Sequence, residues 1–265
     1  MTSPLLPHQR RKPDGTSLPM SAVERFARAG ERPRPGAQMM RRMEVATLNA
    51  DYSVDQQTFV VPQTEVFERA VSGFARGTVL ATPDGPVAIE DLLPGDLVNT
   101  TDGPQRVLWI GSAAIMPDQA QPGSMLDGLI RVTAEAFGRS RPVSDVVLGP
   151  GAALLHNPPQ FRAASGEGHV LTPVQDFIDG VSVFKVTPPS AVKVFHLMLP
   201  RHAAVQAGGL EVESYHPGNG AVGRMGENAQ RLYMSLFPFM MHPRDFGPLG
   251  FPRVELEMLE GLRFG

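Results

Sequence analysis

The chain has 265 residues, of which 42% are hydrophobic and 19% charged, enough for a packed core with extensions and too apolar for wholesale disorder. It holds no cysteine, which excludes disulfides, thiolate metal sites and thiol nucleophiles. The formal charge of −3 hides an asymmetry, because nine Lys/Arg against four Asp/Glu give residues 1–45 a charge of +5 and leave −8 on the remainder.

Residues 1–22 are rich in proline and glycine around the basic cluster Arg10-Arg11-Lys12, and they read as disordered. Ser21 and Glu24 are spaced as a capping box for a short helix through Val23, Phe26 and Ala27. A second helix is expected over Gln38–Leu48, with Met39, Met40, Met43 and Ala46 on one side. Tyr52–Pro62 reads as extended. From Phe74 the texture changes to short β-rich runs separated by turn residues. Thr78–Ala81 and Val87–Ile89 flank Pro83-Asp84-Gly85 and read as a hairpin. Pro94-Gly95 makes a further turn, with Asp96 placed to hydrogen-bond the turn backbone. Further strands are expected at Val107–Ile110, Leu129–Val132, Val146–Leu148, His169–Leu171, Val181–Val186 and Val192–Leu199. Such spacing predicts a mainly β fold, a sandwich or barrel of many short strands. After Gly220, helices are expected at Glu227–Phe237 and Val254–Leu262. The expected organisation is a basic, partly disordered or helical arm (1–50), an extended linker (51–72), a β domain (73–220) and a helical tail (221–265).

Several ordered blocks carry a resemblance. Gly73-Phe74-Ala75-Arg76-Gly77-Thr78 is followed by Val87-x-Ile89-Glu90-Asp91-Leu92-x-Pro94-Gly95-Asp96-Leu97-Val98 and by Val107-Leu108-Trp109-Ile110-Gly111. Downstream come His196-Leu197-Met198-Leu199-Pro200-Arg201-His202 and Gly209–Gly218. Together they resemble a bacterial Hint (Hedgehog/intein) family over roughly 145 residues. The resemblance implies a compact β fold and a site of autoprocessing at the residue that opens the domain. That chemistry begins with an acyl shift onto a side-chain nucleophile and needs a proton donor for the departing amide nitrogen. Here the family's opening cysteine is replaced by Gly73, and its polarising histidine by Ala152. Ser72, one position early, offers a hydroxyl for the N–O version of the shift. The remnant site implied by the resemblance is Ser72, Gly73, Thr78, Ala152 and His202.

Other groups offer less. His196 and His202, six apart, share a face if both lie in one strand. His196 reads as a packed strand residue, and His202 reads either as part of the processing pocket or as a surface remnant. No HxH or HExxH pattern supports a metal, and no metal is expected. His156, four residues from Ala152, lies too far along a strand to replace it. Glu211 and Glu213, or Glu90 and Asp91, could share a face as carboxylate pairs, though solvated carboxylates are the commoner case. Gly149-Pro150-Gly151 lacks the Lys-Ser/Thr of a phosphate loop, so no cofactor is expected. The basic cluster has no interleaved aromatics, which makes nucleic acid an unlikely partner. No apolar run reaches the roughly 18 residues of a membrane span, and no signal segment is visible at the N-terminus, which gives a cytoplasmic expectation. The function expected is a Hint-like domain without catalysis, serving as a structural or protein-interaction module through its N-terminal arm or C-terminal tail. The alternative is self-cleavage near Ser72–Gly73.

Overall fold

The computed structural model describes residues 39–116, 124–166 and 168–261. The basic cluster and the helix expected after Ser21 lie outside them.

The chain enters through a long hairpin, β1 (Met40–Leu48) and β2 (Val54–Pro62), then a short helix α1 (Glu65–Arg69). Short strands follow: β3 (Phe74–Ala75), β4 (Val79–Thr82), β5 (Gly85–Ala88), β6 (Leu97–Thr100), β7 (Gly103–Arg106) and β8 (Trp109–Ile115). Next come β9 (Leu129–Val132), β10 (Val146–Leu148), β11 (Ala153–His156), α2 (Pro159–Ser165) and β12 (Val170–Pro173). The domain continues with β13 (Val183–Val186), β14 (Val192–Met198), β15 (Ala204–Ala207) and β16 (Leu210–Glu213). Helices α3 (Glu227–Ser235) and α4 (Leu256–Gly261) follow.

The strands form two antiparallel sheets. One runs β13-β9-β10-β3-β14-β8-β1-β2, and the other β12-β11-β16-β15-β4-β5, with β6 on β15 and β7 on β6. Turn chemistry sets the hairpins: Gly85 and Gly103 take positive φ at the corners, where a side chain would be strained. Two cores result. Phe74, Leu80, Val98, Leu148, Leu197, Val205 and Val212 fill the space between the sheets. A second, aromatic core joins Met43, Phe67, Trp109, Tyr215, Tyr233 and Phe237 and seals α3 against the body. Trp109 Nε1 donates to the Leu236 carbonyl at 2.6 Å, so the indole is buried with its polar atom satisfied. Each such large side chain contributes about 1.5–3 kcal/mol when fully buried.

The mainly β, Hint-like architecture agrees with the sequence, and three local expectations do not. The helix expected over Gln38–Leu48 is strand β1. Its buried residues alternate, with Met43, Val45 and Thr47 inward, while Met39 and Met40 are each 48% exposed. Pairing on both sides, to β2 and β8, outweighs the weak helical preference of methionine and arginine. Residues 51–72 hold β2 and α1 rather than a linker. The C-terminal tail is helical only in part, because an extended segment, residues 247–254, separates its two helices.

Asp96 behaves as its position suggests. Its Oδ2 accepts the Leu93 N–H at 2.8 Å across the turn, where Gly95 has positive φ. Asp96→Ala is expected to cost about 0.5–1.5 kcal/mol, read as a lower urea midpoint with an unchanged slope.

Candidate functional site

The site grows from α1. The helix ends at Arg69, and the chain turns tightly, so that Ser72 and Gly73 enter β3 between β10 and β14. Ser72 is fully buried. The loop after β10, Gly149-Pro150-Gly151, lies directly over this peptide. A Cβ on Gly149 would strike the Ser72 carbonyl, and one on Gly151 would strike the Ser72 hydroxyl. Both positions therefore need glycine for close approach rather than for unusual dihedrals.

The Ser72–Gly73 peptide is held entirely by backbone. The Ser72 carbonyl accepts the Gly151 N–H at 2.9 Å, the Gly73 carbonyl accepts the Gly149 N–H at 3.1 Å, and the Gly73 N–H donates to the Phe195 carbonyl at 2.9 Å. One donor thus faces the Ser72 carbonyl, which a side chain at position 73 would attack, whereas a shift onto the Ser72 hydroxyl would attack the Val71 carbonyl. The rest of the machinery is not assembled around it. Among the described residues the Ser72 hydroxyl meets only the Met125 sulfur, at 3.5 Å, and no base. A sulfur acceptor cannot take the proton that attack would release.

The space beside Gly73 is filled by His196. A Cβ at position 73 would lie 2.8–2.9 Å from three atoms of that imidazole. The ring stacks edge-on against Phe74 and Tyr215, with centroids 5.8 and 5.3 Å apart. Its Nδ1 accepts the Leu197 N–H at 3.2 Å. Burial pushes its pKa down to about 3, despite an opposing pull from Glu213, so the ring is neutral at ordinary pH. The expected packed residue is thus also the occupant of the missing side chain's place.

The remaining candidates disperse. Thr78 Oγ1 lies 2.8 Å from the carbonyls of Ala75 and Val147 and is used in holding β3 to β10. Ala152 is buried in the inter-sheet core and has no polar side chain to offer. A cleft of about 540 Å³, lined in part by Arg69, Gly151, Ala152, Gln175 and Lys185, opens over this loop. Its basic side chains are paired with carboxylates of the same lining: Lys185 with Asp127 at 2.6 Å and Arg69 with Glu65 at 2.8 Å.

His202 is not in the same strand as His196. β14 stops at Met198, and His202 precedes β15. It joins a separate buried cluster, with Nε2 donating to Glu213 Oε1 at 2.9 Å and Nδ1 accepting the Gly250 N–H at 2.9 Å. Arg253 Nε adds a 2.7 Å bond to the same carboxylate oxygen. Burial pushes the Glu213 carboxyl upward, but His202 and Arg253 outweigh it and hold the group below its ordinary value. The carboxylates considered in the sequence have cationic or backbone partners of their own: Glu211 meets Arg141 at 3.5 Å, Glu213 meets Arg253 at 2.7 Å, and Glu90 accepts the Gly77 N–H at 2.8 Å. His156 bonds Thr172 at 2.8 Å, at the far end of β11. Among the described residues no group of three or more His, Asp or Glu is placed to hold a metal ion.

Sequence reasoning missed the donors at Gly149 and Gly151 and the part played by Arg253. The paired glycines were a signal of close backbone approach. Arg253 lies 40 residues from Glu213 and carried no signal.

The profile of the Hint domain family matches residues 72–219, more than half the chain. No curated protein matches. Two crystal structures of the MchDnaB-1 intein are similar at 16% identity, covering 54% and 53% of this chain and 98% of theirs, with TM-scores of 0.34 and 0.33. With the two-sheet β fold and a family match that opens at Ser72, the chain belongs to the Hint domain family.

Proposed function

We propose that this chain is a Hint domain that does not cut itself and serves as a structural or protein-interaction module. The observation that carries this reading is the His196 ring packed where the side chain of residue 73 would stand. No nucleophile occupies the opening position, no histidine stands at Ala152, and the Ser72 hydroxyl has no base beside it among the described residues.

The surroundings of the peptide support the same reading. β1 lies between β2 and β8, so residues 40–62 supply two strands of the sheet that also holds β3 and β14. Arg41 on β1 bonds the buried Glu68 carboxylate of α1 at 3.0 Å. A cut at Ser72–Gly73 would leave that segment stitched into the sheet rather than released. The C-terminal tail is likewise bound, with Tyr233, Phe237 and Leu259 buried. Its outward side chains, Met241 at 80% exposure and Met258 at 64%, are the part of the tail open to a protein partner. Among the described residues no helix is long and apolar enough to cross a membrane.

Intact-mass spectrometry tests the reading. The purified chain, incubated with dithiothreitol or hydroxylamine, is expected to remain one species at 28.6 kDa. Fragments meeting at Val71–Ser72, the bond that an acyl shift onto the Ser72 hydroxyl would break, would overturn it and make Ser72 the residue to mutate, and fragments meeting at Ser72–Gly73 would overturn it without Ser72 as the nucleophile.

A further inference from the structure

Residues 247–254 form a strap across the edge of the sheet that begins with β12. The Leu171 N–H of β12 donates to the Pro252 carbonyl at 2.9 Å, and the Val254 N–H donates to the Leu171 carbonyl at 2.9 Å. Thr172 Oγ1 donates to the Val254 carbonyl at 2.8 Å. The strap thus covers the outer edge of β12, which is the end strand of its sheet.

Two histidines fasten it. His202 accepts the Gly250 N–H on Nδ1 and donates from Nε2 to Glu213. His216 accepts the Gly218 N–H on Nδ1 at 3.0 Å and donates from Nε2 to the Gly247 carbonyl at 3.1 Å. Each ring therefore uses one nitrogen as acceptor and one as donor, which only the neutral imidazole can do. The charged and titratable groups facing them are few. His202 faces Glu213 from β16, His216 beyond that strand, and Arg253 from the strap. His216 faces His202 at a centroid separation of 5.3 Å, Arg253, whose Nη2 donates to the His216 carbonyl at 2.7 Å, and the Glu213 carboxylate, which opposes the other two by favouring the charged ring.

We propose that His202 and His216 form an acid-sensitive latch: a proton on His202 Nδ1 removes the acceptor of the Gly250 N–H, a proton on His216 Nδ1 breaks its bond to Gly218 and sets positive charge beside Arg253 of the strap, and residues 247–254 then come free and uncover the edge of β12. A protonated Nδ1 on His202 would point a hydrogen at the Gly250 N–H. The backbone cannot retreat and keep its place, because Gly250 is already so close that a Cβ would stand 2.5 Å from the His202 carbonyl oxygen. A protonated His216 would add a second positive charge beside Arg253. Burial, opposed by the bond to Gly247, already holds His216 down to about 4, as a closed latch requires. Protonation of His216 with opening of the strap therefore falls between the ordinary histidine value of about 6.5 and about 4.

The absence of cysteine makes the test clean. A nitroxide on Met258→Cys, an exposed position on α4, reports strap mobility in the full chain, and the emission of the single tryptophan, Trp109, reports the core. On acidification the label is expected to become mobile at least about one pH unit above the point where Trp109 is exposed. His216→Asn and His202→Gln, each keeping a neutral acceptor, are expected to move the label's midpoint down by about one unit. A label that never loosens, that loosens only together with Trp109, or whose midpoint is the same in both folded variants overturns the latch.

Discussion

A Gly73→Cys variant is expected to remain a single uncut chain and to lose about 1–3 kcal/mol of stability, the usual cost of forcing extra atoms into a packed interior. The new Cβ would meet the His196 ring at 2.8–2.9 Å. That ring cannot move aside easily, since Phe74 and Tyr215 pack its edges and it belongs to β14, an interior strand of its sheet. The thiol would also find no proton acceptor in its working state, because His196 is held neutral by burial but already turns Nδ1 to the Leu197 N–H. Adding Ala152→His is expected to deepen the loss, as Ala152 is buried among inter-sheet side chains. Gly73→Ala serves as the control, with the same steric cost and no nucleophile. Matching urea midpoints for the alanine and cysteine variants, and an intact mass for each, are the expected results. A cysteine variant that cleaves itself would show that the pocket still fits the chemistry, and the proposed inert role would then rest on one substitution alone.

Much of the fold was legible because turns announce themselves. Pro83-Asp84-Gly85 marks the corner of β4–β5, and the strands beside it could be read by local pattern alone. β1 was not legible. Met39, Met40, Met43 and Ala46 make a plausible helical stripe, and the residues that select the strand, on β8 and β2, are distant in sequence. At the site, the sequence itself says that Gly73 has no side chain to act as nucleophile and that Ala152 has no imidazole. That His196 fills the gap could not, because the register of β14 against β3 places it there. The His202–Glu213–Arg253 cluster needed two loops and a tail to meet, and sequence spacing carries no trace of such a meeting.

Acid is expected to destabilise this protein steeply, and the sign follows from the buried imidazoles. His196 binds its proton at about 3 and His216 at about 4 in the folded chain, against about 6.5 when unfolded. Between those values the unfolded chain holds more protons, so stability rises with pH and is lost as pH falls from 6.5. Each histidine contributes up to about 1.4 kcal/mol per pH unit in its window, which closes near pH 4 for His216 and near pH 3 for His196. By pH 4 the two together remove on the order of 5 kcal/mol, comparable with the whole stability of many domains. Glu213, held below its ordinary value, acts in the same direction once pH drops through the usual carboxylate range. Urea midpoints measured by Trp109 emission should therefore fall continuously from pH 7 to pH 4.5. His196→Gln should flatten the slope by about half while lowering the midpoint at pH 7, since it removes the titration along with some packing. A midpoint that stays level across this range would mean that neither ring is held neutral by the fold. The filling of residue 73's place by an uncharged imidazole would then be the wrong account of the site.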